Sequence, residues 1–385
     1  MERYSEDLLK HLVKDKSELE SWYRARYYIM KVLPPLDGGG IGVNSNKRVH
    51  IIIRWETPSD LLYSVIRQIC LLTHYPNFNE CTGANKTLIT IVANAPLEIY
   101  NGIKECRYLG GLMDYCRCSI NGEVQPNFYE TIPLDIEFAF SSDELSDECN
   151  ALLIEQASVE EKTKDIGCQD MSMDVTMGML VNMVYNTGVE IDNLSAYDNA
   201  NIERYSMALN VFCYKLKSSQ ILKKWNECAK PNDDNTYNEM DIKNKLSSVF
   251  CAECFDSRLR SVLDTSQKSL EDYLLNDFEG VMMKMSDERI ITALARCEHS
   301  RWNVEKLIMG FTPLKREDWY EIESCFGGDR KHKIKELKKK GRHIDICSYN
   351  NLRRVNPSDM KYDYFLMLAM PQIMRSNLMV TQNNR

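Results

Sequence analysis

The chain has 385 residues, 44% of them hydrophobic, with 48 Lys or Arg against 56 Asp or Glu and a net charge of −8. Single cores stop growing near about 250–300 residues, so two globular units with connecting helices are expected. The acidic balance argues against nucleic acid as the main partner, and no window reaches the roughly 20 uninterrupted apolar residues of a spanning helix: 61–73 is broken by Arg67 and 364–374 by Pro371. Fourteen cysteines without a regular framework, behind a start lacking a charged-then-apolar leader, read as reduced thiols of a cytoplasmic protein.

In chain order, Leu8, Leu9, Leu12, Trp22, Tyr23, Tyr27 and Met30 recur at helical spacing and stop at Pro34-Pro35 and Gly38-Gly39-Gly40, so 1–43 reads as a helical arm and linker. The run 48–54 has the β-branched character of a buried strand, 59–73 is an amphipathic helix, and 87–93 is a second strand. With further strand material in 131–140, residues 44–145 are expected to form a small Rossmann-like, parallel-sheet α/β domain, through which the chain is a candidate homo-oligomer. The glycosylation-like Asn85-Lys86-Thr87 leads into an apolar strand and reads as a chance match.

The β signal then disappears, and 146–285 reads as a helical middle region with stretches at 171–185 and 202–225. The last unit, 286–375, opens with a strong helix over 287–309 capped by Ser286, continues through a charged stretch to Arg342 and an apolar-aromatic segment to Met374, and leaves 376–385 as a tail. The expected fold class is therefore α/β plus α.

A dinucleotide site needs glycines after the first strand and bare N–H groups at the following helix. The turn Trp55-Glu56-Thr57-Pro58-Ser59-Asp60 has no glycine, places Thr57 as N-cap and Pro58 at the first helical position, and sets Glu56 and Asp60 where a pyrophosphate would lie. No dinucleotide cofactor is expected there. Cys251-Ala252-Glu253-Cys254 has metal-pair spacing but lacks a second pair and reads as buried structural thiols; Cys116-Arg117-Cys118 is weaker, and no metal is expected. Eight Lys or Arg lie between Arg330 and Arg342, a solvated face or an anion site.

The informative constellation is on the helix 287–309. Ala295, His299, Trp302, Lys306 and Met309 fall on one stripe, with Glu298 beside it as an acidic edge. An aliphatic core helix rarely spends such positions on His, Trp and Lys, whereas the wall of a ligand groove does. The pattern Leu294-Ala295-x-x-Glu298-His299-x-x-Trp302-x-x-x-Lys306-x-x-x-Gly310-Phe311 resembles the opening helix of the ryanodine-receptor-type (RyR) domain. Its closing half is similar to 342–352, which includes Arg342, His343 and Tyr349, followed by Lys361-Tyr362-Asp363. Phe311 stands where Trp is usual, and 315–340 is longer and more basic than the family pattern.

That resemblance covers about 286–375. It implies a mostly helical binding module, found as repeats in calcium-release channels and as free-standing or fused domains in prokaryotes. Some prokaryotic relatives place a TrkA-N-type Rossmann domain and a helical region before it, and Ile69-Cys70-Leu71-Leu72-Thr73-His74-Tyr75 weakly resembles the former. Adenine-type nucleotides are a plausible ligand class for such a module. On physical grounds Trp302 would stack a base, Glu298 or His299 would read its edge, and Lys306 or Arg342 would meet phosphate, with His343 and Tyr349 alongside. A ligand-binding or sensor protein is thus the leading expectation. The alternatives are an enzyme acting on a nucleotide or modified base through Glu298 and His299, and a structural interaction module in which His299 and Trp302 pack the domain's halves together.

Overall fold

A computed structural model describes residues 13–129, 131–142, 151–166, 183–184, 242–325 and 327–383. Six strands, β1 (His50–Arg54), β2 (Thr87–Val92), β3 (Arg117–Ile120), β4 (Glu123–Val124), β5 (Ile136–Ser141) and β6 (Leu152–Glu155), form one sheet in the order β4-β3-β5-β2-β1-β6. All neighbours are parallel except the β3–β4 hairpin, which closes through Asn121 (φ 47°) and Gly122 (φ 87°). Positive φ at both turn residues matches the twist of two-residue hairpins. Ile51, Ile52 and Ile53 are all buried, as the interior strand of a parallel sheet requires when both faces are covered.

The helices of this half are α1 (Lys16–Tyr27), α2 (Asp60–Leu72), α3 (Pro96–Glu105), α4 (Gly110–Met113) and α5 (Gln156–Thr163). The expected strand and helix at 48–54 and 59–73 are present. The helix start differs: Ser59, in extended conformation, is the N-cap and accepts from Leu62 N at 3.2 Å, so Thr57 and Pro58 lie outside the helix. The sheet also runs past the expected boundary at 145, because the short strand β6 pairs with β1. The expected helices 171–185 and 202–225 lie, apart from 183 and 184, outside the described residues.

The expected arm is part of the core. Trp22 and Tyr23 are buried against α2, and the Arg67 guanidinium of α2 sits 5.4 Å from the Trp22 ring, with Glu18 at 3.7 Å. Nor is 34–43 a free linker: Asp37 is buried on Arg260, Ile41 is buried, and a Cβ at Gly40 (φ +128°) would lie 2.4 Å from the Arg260 carbonyl oxygen. Leu8, Leu9 and Leu12 fall outside the described residues.

The second half comprises α6 (Ile242–Glu253), α7 (Phe255–Arg260), α8 (Leu270–Asn276), α9 (Phe278–Met285), α10 (Glu288–Ile308), α11 (Arg316–Glu323), α12 (Gly327–Lys339), α13 (Tyr349–Val355) and α14 (Met360–Asn383). A two-strand parallel ladder, β7 (Thr312–Pro313) with β8 (Arg342–His343), brackets α11 and α12. The N-cap of α10 is Asp287, one residue after the expected Ser286, and its carboxylate accepts from Arg289 N at 2.9 Å. The helix stops at Gly310 (φ +82°), where Phe311 N reaches back to Lys306 O at 2.9 Å. Only glycine enters that left-handed cap without strain.

Helix α10 is buried nearly all round because it packs on α2 and α4 on one side and α14 on the other. A Cβ at Gly111 would lie 2.9 Å from Leu307 O, so the α4 backbone approaches it closely. One hydrophobic core consequently runs from α1 and the sheet into α10 and α14. The apolar-aromatic segment to Met374 belongs to α14, which runs through Pro371 and also absorbs most of the expected tail. The missing proline hydrogen bond is outweighed there by burial of Phe365, Met367, Leu368, Met370 and Ile373. No helix among the described residues is long and apolar enough to cross a membrane.

Candidate functional site

One residue per 100° of turn separates the faces of α10, and the Glu298-His299 pair is divided accordingly. Glu298 is only 3% exposed and accepts from Arg258 Nη2 at 2.8 Å, Arg301 Nε at 3.0 Å and Arg301 Nη2 at 2.8 Å. Arg301 Nη1 donates onward to Glu305 Oε2 at 2.6 Å, which also receives the Ser247 hydroxyl at 2.9 Å, while Lys306 donates to Glu305 Oε1 at 2.6 Å. Burial works against the Glu298 charge, but Arg301 and Arg258 hold its carboxyl below the ordinary range. These ions tie α6 and α7 to α10. Glu298 is thus occupied inside the protein and forms no acidic edge beside the stripe.

His299 faces the closing half of the unit. Its Nε2 lies 3.0 Å from Cys347 O and its Nδ1 3.3 Å from Asp363 Oδ2. Burial opposes a charge on the ring, yet Asp363 and Cys347 lift its pKa to about 10. A ring that keeps its proton at neutral pH is a poor general base, and Glu298 points elsewhere, so the two share no reaction centre.

Around His299 the aromatic groups expected from the stripe do assemble. His299 stacks on Trp302 (centroids 6.1 Å, interplanar 15°) and meets Tyr349 at 5.6 Å. His343 stands edge-on to Trp302 at 5.0 Å and to Phe311 at 6.0 Å. Lys306 Nζ lies 5.3 Å from the Trp302 ring centroid. Trp302 and Phe311 are half-buried and form the outer lip of this cluster, with His299, His343 and Tyr349 buried behind them. Burial and the cations Lys338, Lys306 and His299 push the His343 pKa down to about 3, while Asp345 Oδ2 lies 3.6 Å from its Nδ1.

Arg342 is paired with Asp318 of α11 and turns from the stripe toward that helix. Tyr349 is anchored at its backbone, its N–H donating to Glu80 Oε1 at 2.8 Å. Two contributors escaped the sequence reading. Asn303 donates to Cys347 O at 2.8 Å, and its spacing of four from His299 was a usable signal. Arg258 carried none, because its partners on α10 are remote in sequence, whereas Asp363 stood in the motif Lys361-Tyr362-Asp363 without an assigned role. The Cys251 and Cys254 thiols are buried and free, as expected, with the Cys254 pKa raised to about 11 by burial. Among the described residues no group of His, Cys, Asp and Glu is arranged to hold a metal ion.

Three clefts among the described residues lie away from the stripe. The first, about 490 Å³, lies between Val43, residues 76–79 and the first turns of α10. The second, about 190 Å³, lies beside Tyr75 and Arg260, and the third, about 270 Å³, at the start of β1. His343 of β8 and Tyr349 of α13 pack against Trp302 and His299 on the side of the stripe. Comparison of the chain with protein-family models, with curated proteins and with solved structures finds no match.

Proposed function

We propose that this chain is a ligand-binding protein of the RyR-domain type whose lip at Trp302 takes a planar anion of the adenine-nucleotide class. One observation carries the reading: the half-buried Trp302 indole and Phe311 stand beside Lys306, whose ammonium lies 5.3 Å from the indole centroid. A base stacks on the exposed part of such a ring, and the ammonium meets its phosphate. Because α10 shares its core with α2 and α4, occupancy of the lip bears on the sheet half as well, which suits a sensor. Thermal-shift measurements with ATP, ADP, AMP, adenosine and inorganic phosphate test it. The phosphorylated nucleosides raise the midpoint in a concentration-dependent way, and Trp302→Ala, still folded, loses the rise. No rise with any of them removes the proposal.

A second reading, a protein–protein interaction module, draws on the packing of His299 and Trp302 against β8 and α13 and on the position of the clefts away from them. Co-elution with a partner protein together with silence toward nucleotides favours it.

A further inference from the structure

The cleft of about 490 Å³ where the sheet half meets α10 has a wall that is already complete and a cation that is not. The loop 76–86 is fixed by its own amides. Asn77 Nδ2 donates to Ser45 O and Lys47 O at 3.0 and 2.9 Å, Asn85 Nδ2 donates to Asn77 O at 3.1 Å, and Asn79 Oδ1 accepts from Cys81 N and Thr82 N at 2.9 and 3.1 Å. Pro76, Phe78 and Ala293 are themselves buried and reach the cleft only by their edges, beside the more open Val43. Opposite them, Arg289 is exposed and tied to Asp287, and Thr292 bonds the Tyr364 hydroxyl at 2.7 Å.

Arg296 differs. It is half-buried and makes one long hydrogen bond, Nη1 to Phe78 O at 3.4 Å, leaving most of its fork unused at the edge of the cleft. A guanidinium in that setting is completed by a planar oxyanion, which it holds with two parallel bonds. Glu288 also lines the cleft and disfavours a doubly charged phosphate relative to a single charge. We infer that this cleft is a second binding site, distinct from the Trp302 lip, for a small monocarboxylate with an apolar or aromatic body, held by Arg296 against Phe78 and Pro76. The joint between two parts of a chain, with an apolar wall and one convergent polar group, is where such ligands are commonly found.

The test is calorimetric titration of the full chain with phenylacetate, phenyl phosphate and inorganic phosphate. Phenylacetate binds saturably, phenyl phosphate binds more weakly, and inorganic phosphate, having no body for the apolar wall, does not bind. Arg296→Gln weakens phenylacetate about tenfold or more, the loss of a charge-assisted pair, with its thermal midpoint retained. Trp302→Ala, outside the cleft, leaves the affinity within about twofold. Absence of saturable phenylacetate binding to the wild-type chain overturns the inference, as does equal affinity in Arg296→Gln. Failure here leaves the Trp302 proposal standing, because that site is read out with nucleotides and shares none of these residues.

Discussion

The Arg258 guanidinium donates to Glu298 Oε2 at 2.8 Å with both side chains nearly inaccessible, joining α7 to the centre of α10. Removing one member of a buried ion pair strands the other, at a cost of about 3–5 kcal/mol. Glu298→Ala is therefore expected to lose about that much in urea unfolding, since both Arg258 and Arg301 lose an acceptor. A loss under about 1 kcal/mol contradicts the structural role assigned to Glu298.

His299 gives the protein a pH signature. Its pKa in the fold, about 10, exceeds its ordinary 6.5, so the native state keeps a proton that the unfolded chain releases in between. Its contribution to stability is full below about pH 6.5 and is lost as pH rises toward 10. Urea midpoints of wild type and His299→Gln should differ most at pH 6.5 or below and converge toward pH 10. His343 and Asp345, at about 3 and about 7, titrate mainly below this window. Parallel curves across it contradict the pairing of His299 with Asp363.

Gly40 and Gly39 both have positive φ, but only Gly40 has backbone against its missing Cβ. Gly40→Ala should destabilise by about 2 kcal/mol or more, and Gly39→Ala by about 1 kcal/mol, from the backbone strain alone. Thermal melts of the two variants check this. Equal losses mean that the turn 34–42 is not docked on α7.

Much of the scaffold was legible because apolar periodicity is local. The three isoleucines of β1, the amphipathic α2 and the stripe of α10 were each found within a residue or two. The misses have local causes too. β3 contributes one buried side chain, Cys118, and β6 is four residues long, so neither gives a periodic signal; their burial is supplied by β5 and β1. The sequence reading left the extent of α14 open, and its run through Pro371 into the expected tail rests on burial that intrinsic propensity does not register. At the candidate site, spacing placed His299, Trp302 and Lys306 together. It did not reveal that β8 and α13 pack their rings beside them, or that Glu298 belongs to Arg258, 40 residues earlier.

The most direct test of the central claim is calorimetric titration of the full chain with ADP, beside Trp302→Ala, Lys306→Met and the control Arg117→Gln on β3. The account predicts saturable binding to the wild type and to Arg117→Gln. It predicts a loss of about tenfold or more in each of the other two, the scale of one base stack or one phosphate contact. No saturable binding to the wild type, or binding that survives both lip substitutions unchanged, contradicts it.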